Sequence, residues 1–159
     1  METKYKEYYS DRLRDGNEFQ DFICFEFWKR GIVLLNIGSK KYQYSIGETV
    51  FGAEIKNDKK CQVTGNVYIE TNEKSNPSNE LYVDSGIFRD DNSWLYIIGN
   101  YNVIWIFAKK HLVFLNNSKK YKEVKTATSI GFLLPIEVAD RYCCNKIEFD
   151  NIKTKSLIN

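Results

Sequence analysis

The sequence predicts an α+β domain, and three features predict it. Before Gly31 the apolar residues recur at mixed three and four spacing; after it they alternate or run together in short β-branched stretches; near the end a helical pattern returns behind Pro135. At 159 residues the chain has the size of one domain, able to bury roughly two thirds of its unfolded surface in a single core.

The elements follow in order. Tyr8, Leu13, Phe19, Phe22, Ile23, Phe25, Phe27 and Trp28 give one or two amphipathic helices, with Gly16 read as the interruption, Asn17 as the cap of a second helix over 17 to 30, and Gly31 as its stop. Strands are then expected over Ile32–Ile37, Tyr42–Ile46, Ala53–Lys56 and Val63–Thr71, as a meander. Residues 71 to 94 are polar and turn-rich. Trp94–Ile98 and Val103–Phe107 read as strands joined by the turn Gly99-Asn100-Tyr101-Asn102, Lys109–Leu115 as a short helix, and a last helix starts after Pro135, because proline suits the first helical turn. No repeat or low-complexity tract is present.

Composition excludes several classes. Lys and Arg number 23 against 21 Asp and Glu, a net +2, so the overall field does not call for a nucleic-acid partner and only a local patch could. Lys109, Lys110, His111, Lys119, Lys120, Lys122 and Lys125 form the one candidate patch, which as a solvated surface would mean nothing more. Cys24, Cys61, Cys143 and Cys144 lack the C-x-x-C spacing of structural zinc sites. The polar start METKYKEYYSD and the unbridgeable Cys143-Cys144 pair lead to the expectation of a cytoplasmic protein with reduced thiols. No stretch of roughly 18 apolar residues exists to span a membrane. Glycine-rich phosphate loops are absent, and the single histidine, His111, follows two lysines in a place that assembles no nucleophile-histidine machinery.

The chemistry concentrates in GETVFGAEIKND, residues 47 to 58. Residues two apart share a strand face, so Glu54, Lys56 and Asp58 point one way and Ala53, Ile55 and Asn57 the other. A tight bend at Gly52 would bring Glu48 beside Glu54, and carboxylates that close repel unless a cation lies between them. Hard oxygen ligands suit Mg²⁺ (or Mn²⁺), which takes one or two protein carboxylates and leaves its other positions to water and phosphate. A lysine beside such an ion can orient the attacking water and neutralise the transition state of phosphodiester hydrolysis. As plain surface chemistry, the same alternation would be the wet side of a sheet.

These residues resemble the PD-(D/E)XK nuclease superfamily, in which an acid on one strand precedes a (D/E)-x-K triplet on the next. Glu48 stands for the first acid and Glu54-Ile55-Lys56 for the triplet, and GETVFGAEIK is similar to the version in the mismatch-repair nicking endonuclease and its restriction-enzyme relatives. The family pattern has Asp preceded by Pro at the first acid; here Glu48 follows Gly47. The resemblance covers the organisation of residues 10 to 74 and implies a single restriction-endonuclease-like domain over 1 to 159, an N-terminal helix leading into a mixed sheet flanked by helices. It also implies a glutamate on the first helix reaching the site, matched by Glu18 in GNEFQDFICFEF. A second assignment takes Glu54 as the first acid and Glu70, in GNVYIETNEK, as the second, with Lys56 or Lys74 as the cation.

The resemblance implies a metal-dependent DNA endonuclease from a phage, another mobile element or a restriction system. Glu48 and Glu54 would hold the metal, Lys56 would orient the water, and Glu18 and Glu70 would assist; a symmetric cutter would act as a homodimer. The alternative is a non-catalytic nucleic-acid or protein interaction module of similar shape. Arg89 is read as pairing with Asp90 or Asp91 rather than clamping a phosphate. Trp94, Tyr96 and Trp105 are read as core rather than as stacking platforms.

Overall fold

The computed structural model describes residues 2 to 149, with the side chains of residues 2 to 12, Lys40, Tyr44 and Ser45 set aside. Its helices are α1 (Glu2–Trp28), α2 (Lys40–Ile46), α3 (Cys61–Thr64), α4 (Lys109–Asn117) and α5 (Ile136–Tyr142). Its strands are β1 (Ala53–Asn57), β2 (Asn66–Glu73), β3 (Val83–Asp84), β4 (Leu95–Gly99), β5 (Val103–Ala108), β6 (Glu123–Lys125), β7 (Ser129–Pro135) and β8 (Asn145–Glu148). A 3-10 turn, Gly86–Phe88, follows β3. The protein is mixed α+β, and no helix among the described residues is long and apolar enough to cross a membrane.

Two four-stranded sheets form, in the orders β1-β4-β5-β8 and β3-β2-β7-β6. The first is mixed, with β1 parallel to β4 and the remaining pairs antiparallel; the second is wholly antiparallel. Strand period sorts the first sheet into two faces. Ala53, Ile55, Ile97 and Ile104 receive Phe19, Ile23 and Phe27 of α1, which stand four apart on one helix stripe. Burying each such side chain contributes about 1.5–3 kcal/mol. Tyr96, Ile98, Val103, Trp105 and Phe107 face the other way and share a core with Val67, Ile69, Phe132 and Leu134 of the second sheet and with Leu112 and Leu115 of α4.

Several expectations are corrected. Gly16 does not interrupt α1: a Cβ there would meet nothing within 4 Å, and glycine inside a helix costs only about 1 kcal/mol. Tyr42–Ile46 is helical rather than extended. Extended Ser39 opens α2, its carbonyl accepting the amides of Tyr42 and Gln43, and the Gln43 side chain donates to the Ile37 carbonyl at 2.5 Å. Ile32–Ile37 is not a full strand: it makes one bridge, Asn36 to Thr49, and leaves Ile32, Val33 and Leu35 about half exposed. The meander is therefore replaced by two sheets, with β2 leaving β1 for the second one.

Candidate functional site

The segment between α2 and β1 forms a sheet extension with few backbone bonds. Ile37 N–H donates to the Glu48 carbonyl at 2.9 Å and Val50 N–H to the Leu35 carbonyl at 3.0 Å, so residues 35 to 37 run antiparallel to 48 to 50. Side chains then seal 48 to 50 onto the free edge of β1. Thr49 Oγ1 donates to the Ala53 carbonyl and accepts the Ala53 amide, at 2.9 and 2.7 Å, and Glu48 Oε2 accepts the Ile55 amide at 3.0 Å. An edge that would otherwise offer unpaired amides is closed by a hydroxyl and a carboxylate.

That docking turns Glu48 toward the triplet. Lys56 Nζ lies 3.1 Å from Glu48 Oε1 and 2.9 Å from Glu54 Oε1. The first contact is a hydrogen bond; the second is an ion pair at a poor angle, which leaves both oxygens of Glu54 without a hydrogen-bond partner among the described residues. Glu54 is fully buried, and Tyr96, its register partner on parallel β4, is fully buried with an unpartnered hydroxyl. Gln20 of α1 donates to Glu48 Oε2 at 3.2 Å. Arg89 places Nη2 3.0 Å from Glu73 Oε1 and Nη1 3.7 Å from Glu48 Oε1. Glu70 accepts the Ser85 hydroxyl at 2.8 Å.

The electrostatics follow from burial and a shortage of cations. Four carboxylates, Glu48, Glu54, Glu70 and Glu73, surround two cations, Lys56 and Arg89. Burial pushes the Glu54 carboxyl above its ordinary value, Lys56 opposing and Glu48 reinforcing the shift. Burial likewise raises Glu70 against the pull of Lys56. For Lys56, burial works against the charge, but Glu48, Glu54 and Glu70 overcome it and hold its pKa well above the ordinary lysine value. Lys56 is thus a fixed ammonium, suited to electrostatic work and not to accepting a proton.

The structure brings together Glu48, Glu54 and Lys56, with Glu70 coupled to them through charge. It does not bring Glu18: that side chain is 61% exposed and pairs with Arg14 at 3.8 Å. Glu18 lies on the wrong flank of the buried Phe19 stripe, and Gln20 takes the inward position. Asp58 accepts the amides of Lys60 and Tyr68 and serves the turn into β2. Lys74 is spent on the carbonyls of Pro77 and Asn79. Arg89 reaches Glu73 and Glu48 rather than Asp90 or Asp91. The lysine patch is divided, since Lys109 turns inward to the Arg89 carbonyl, Asp91 and Ser93.

Sequence reasoning does not anticipate Gln20 as part of this site; Tyr96 is core as expected, whereas Trp94, expected in the core, is 61% exposed. Helical period alone cannot choose between Glu18 and Gln20, which flank the same stripe. Tyr96 was legible in part, because strand period sets it on the face of its β1 partner.

Two hard carboxylates match what Mg²⁺ takes from a protein. Among the described residues no group of three or more His, Cys, Asp or Glu side chains is arranged to hold a metal ion. The donor set is the Glu48–Glu54 pair, and the Lys56 ammonium stands where a cation between them would stand. Glu54 Oε2 has no partner among the described residues, Oε1 has only the Lys56 ammonium 2.9 Å away, and the Glu54 side chain is fully buried, so a divalent ion here would have to displace Lys56. Other chemistries lack parts: the Cys61 thiol is pushed up to about 11 by burial and by Asp58. A cleft of about 310 Å³ on the far strands contains Lys146 and Glu148, which pair with each other at 3.1 Å. No protein-family model, curated protein or solved structure matches the chain.

Proposed function

We propose that the chain is a metal-dependent DNA endonuclease on the PD-(D/E)XK plan, hydrolysing phosphodiester bonds with Mg²⁺ or Mn²⁺. The observation that carries this reading is the convergence of Glu48 and Glu54, from two neighbouring extended segments, on Lys56, whose Nζ lies within 3.1 Å of an oxygen of each. The backbone order adds support. A long helix precedes an antiparallel pair (35 to 37 with 48 to 50), the first acid ends on its second arm, the triplet follows on β1, and β4 runs parallel beside it.

In this reading Glu48 and Glu54 hold the ion, while Gln20 and the Ile55 amide fix Glu48 in its rotamer from behind. A divalent ion held by Glu48 and Glu54 would supply a bound water of lowered pKa and positive charge against that developing on the phosphate. Lys56, whose pKa the surrounding glutamates hold well above the ordinary lysine value against burial, would orient that water and offset charge on the phosphoryl oxygens. Glu70, held by Ser85, adds negative charge that keeps Lys56 protonated.

The test is nicking of supercoiled plasmid and cutting of single-stranded DNA with Mg²⁺, Mn²⁺ or EDTA. Metal-dependent cleavage that falls at least about 100-fold in Lys56→Ala and Glu54→Ala supports the assignment. Folded variants that cut as the parent does would overturn it.

A second reading, a non-catalytic interaction module, is favoured by one observation: Phe25, Trp28, Val33, Phe51 and Trp94 are each more than half exposed. DNA retention or partner binding without cleavage in any metal would select it.

A further inference from the structure

We infer that Arg89 is the phosphate-binding cation of this site, contacting a non-bridging oxygen of the scissile phosphate. The inference rests on the nuclease reading above. Arginine offers five N–H donors in a planar fork that matches phosphate geometry. Here one arm of the fork is hydrogen-bonded and the other makes only a long ion pair: Nη2 is bonded to Glu73 at 3.0 Å, while Nη1 lies 3.7 Å from Glu48 Oε1, beyond hydrogen-bond reach. The Arg89 side chain is 17% exposed, between Glu48 at 9% and Glu73 at 38%. It faces the same oxygen, Glu48 Oε1, that Lys56 holds.

The backbone that carries Arg89 is held from both sides, as positioning requires. Upstream, Gly86 has φ 51°, with the Glu70 carbonyl 2.2 Å from where a Cβ would be, so the turn is pressed against β2. Downstream, the buried Lys109 ammonium donates to the Arg89 carbonyl at 2.8 Å, to Ser93 at 2.7 Å and to Asp91 at 3.2 Å. A residue needed only to neutralise Glu73 would not require this bracing, because Glu73 is partly exposed and water would serve it.

The experiment uses the full chain. With Mg²⁺, cleavage is compared among the parent, Arg89→Lys and Arg89→Met. Lysine keeps the charge and loses the fork, so kcat should fall about 10-fold, and methionine should cost about 100-fold or more. Binding of a labelled duplex is measured in parallel in a Lys56→Met background in Mg²⁺, with and without Arg89→Met. Removing Arg89 should lower the slope of log affinity against log salt by about one, which a merely structural residue would not do. The proposal is overturned if Arg89→Lys folds and cuts as the parent does, or if the salt slope is unchanged in the folded Arg89→Met protein. A parent that binds DNA with the predicted slope change and cleaves nothing would refute the nuclease reading while keeping the phosphate contact.

Discussion

Glu48 Oε2 accepts the Ile55 amide at 3.0 Å while Oε1 of the same carboxylate takes the Lys56 ammonium at 3.1 Å. One side chain thus closes a strand edge and builds the site. Glu48→Gln keeps an oxygen for the amide but turns an NH2 toward the Lys56 ammonium, so its melting temperature should fall by about 5 °C or more while cleavage drops at least about 100-fold. Glu48→Ala orphans the amide and should cost a further 1–3 kcal/mol or so, read by denaturant titration.

Acid should stabilise the metal-free protein over a limited range. Burial raises the Glu54 and Glu70 carboxyls above 4.5 in the folded state. Their contribution to stability is therefore fully present below that value and is lost as pH rises through the folded pKa. Glu26 and Asp91 act oppositely: burial opposes the shift, but Lys29 and Arg30 at Glu26, and Ser93 and Lys109 at Asp91, leave both carboxyls below their ordinary values. Their contribution is lost only in stronger acid. Melting in EDTA should thus rise as pH falls through the raised folded pKa of Glu54 and Glu70, and decline in stronger acid as Glu26 and Asp91 protonate. Glu54→Gln should flatten the first limb, and excess Mg²⁺ should reverse it, because ion binding needs the carboxylates ionised.

Gly86→Ala tests the brace under Arg89. With positive φ and a carbonyl 2.2 Å from the new methyl carbon, the loop must shift, at a cost of about 2–4 kcal/mol from strain and overlap together. Calorimetry should show a melting point lower by about 5–15 °C. Unchanged melting would mean that the turn is not pressed on β2.

Thr49→Val removes the hydroxyl that both donates to and accepts from Ala53. The shape is kept, yet two buried backbone groups lose their partner, so about 1–3 kcal/mol should be lost. Hydrogen exchange at the Ala53 amide should accelerate before that of Ile97, whose strand is internal to the sheet.

What the sequence made legible depended on whether an element carries its own pattern. β4 and β5 are apolar stretches bounded by glycine or a turn, and β1 alternates apolar with charged residues just after Gly52; their positions follow from that. Tyr42–Ile46 does not disclose its state, because an alternation five residues long fits a helical turn and a half as well as a strand. Ile32–Ile37 looks like a core strand but carries Ile32 and Val33 to the surface. The strands β6 and β8 are short and polar, and only pairing with β7 and β5 extends them. At the site, strand period and the Gly52 bend sufficed to bring Glu48, Glu54 and Lys56 together. Gln20 and Arg89 reach the cluster through tertiary packing, which leaves no local signature.

The parallel register of β1 with β4 has a bearing on how the chain is made. β1 waits for a neighbour that follows residues 58 to 94, and α3, β2, β3 and the 3-10 turn must all be synthesised in between. Until Leu95 to Gly99 has emerged, the strand bearing both triplet charges has no backbone partner, so fragments ending earlier should stay unassembled and prone to sticking.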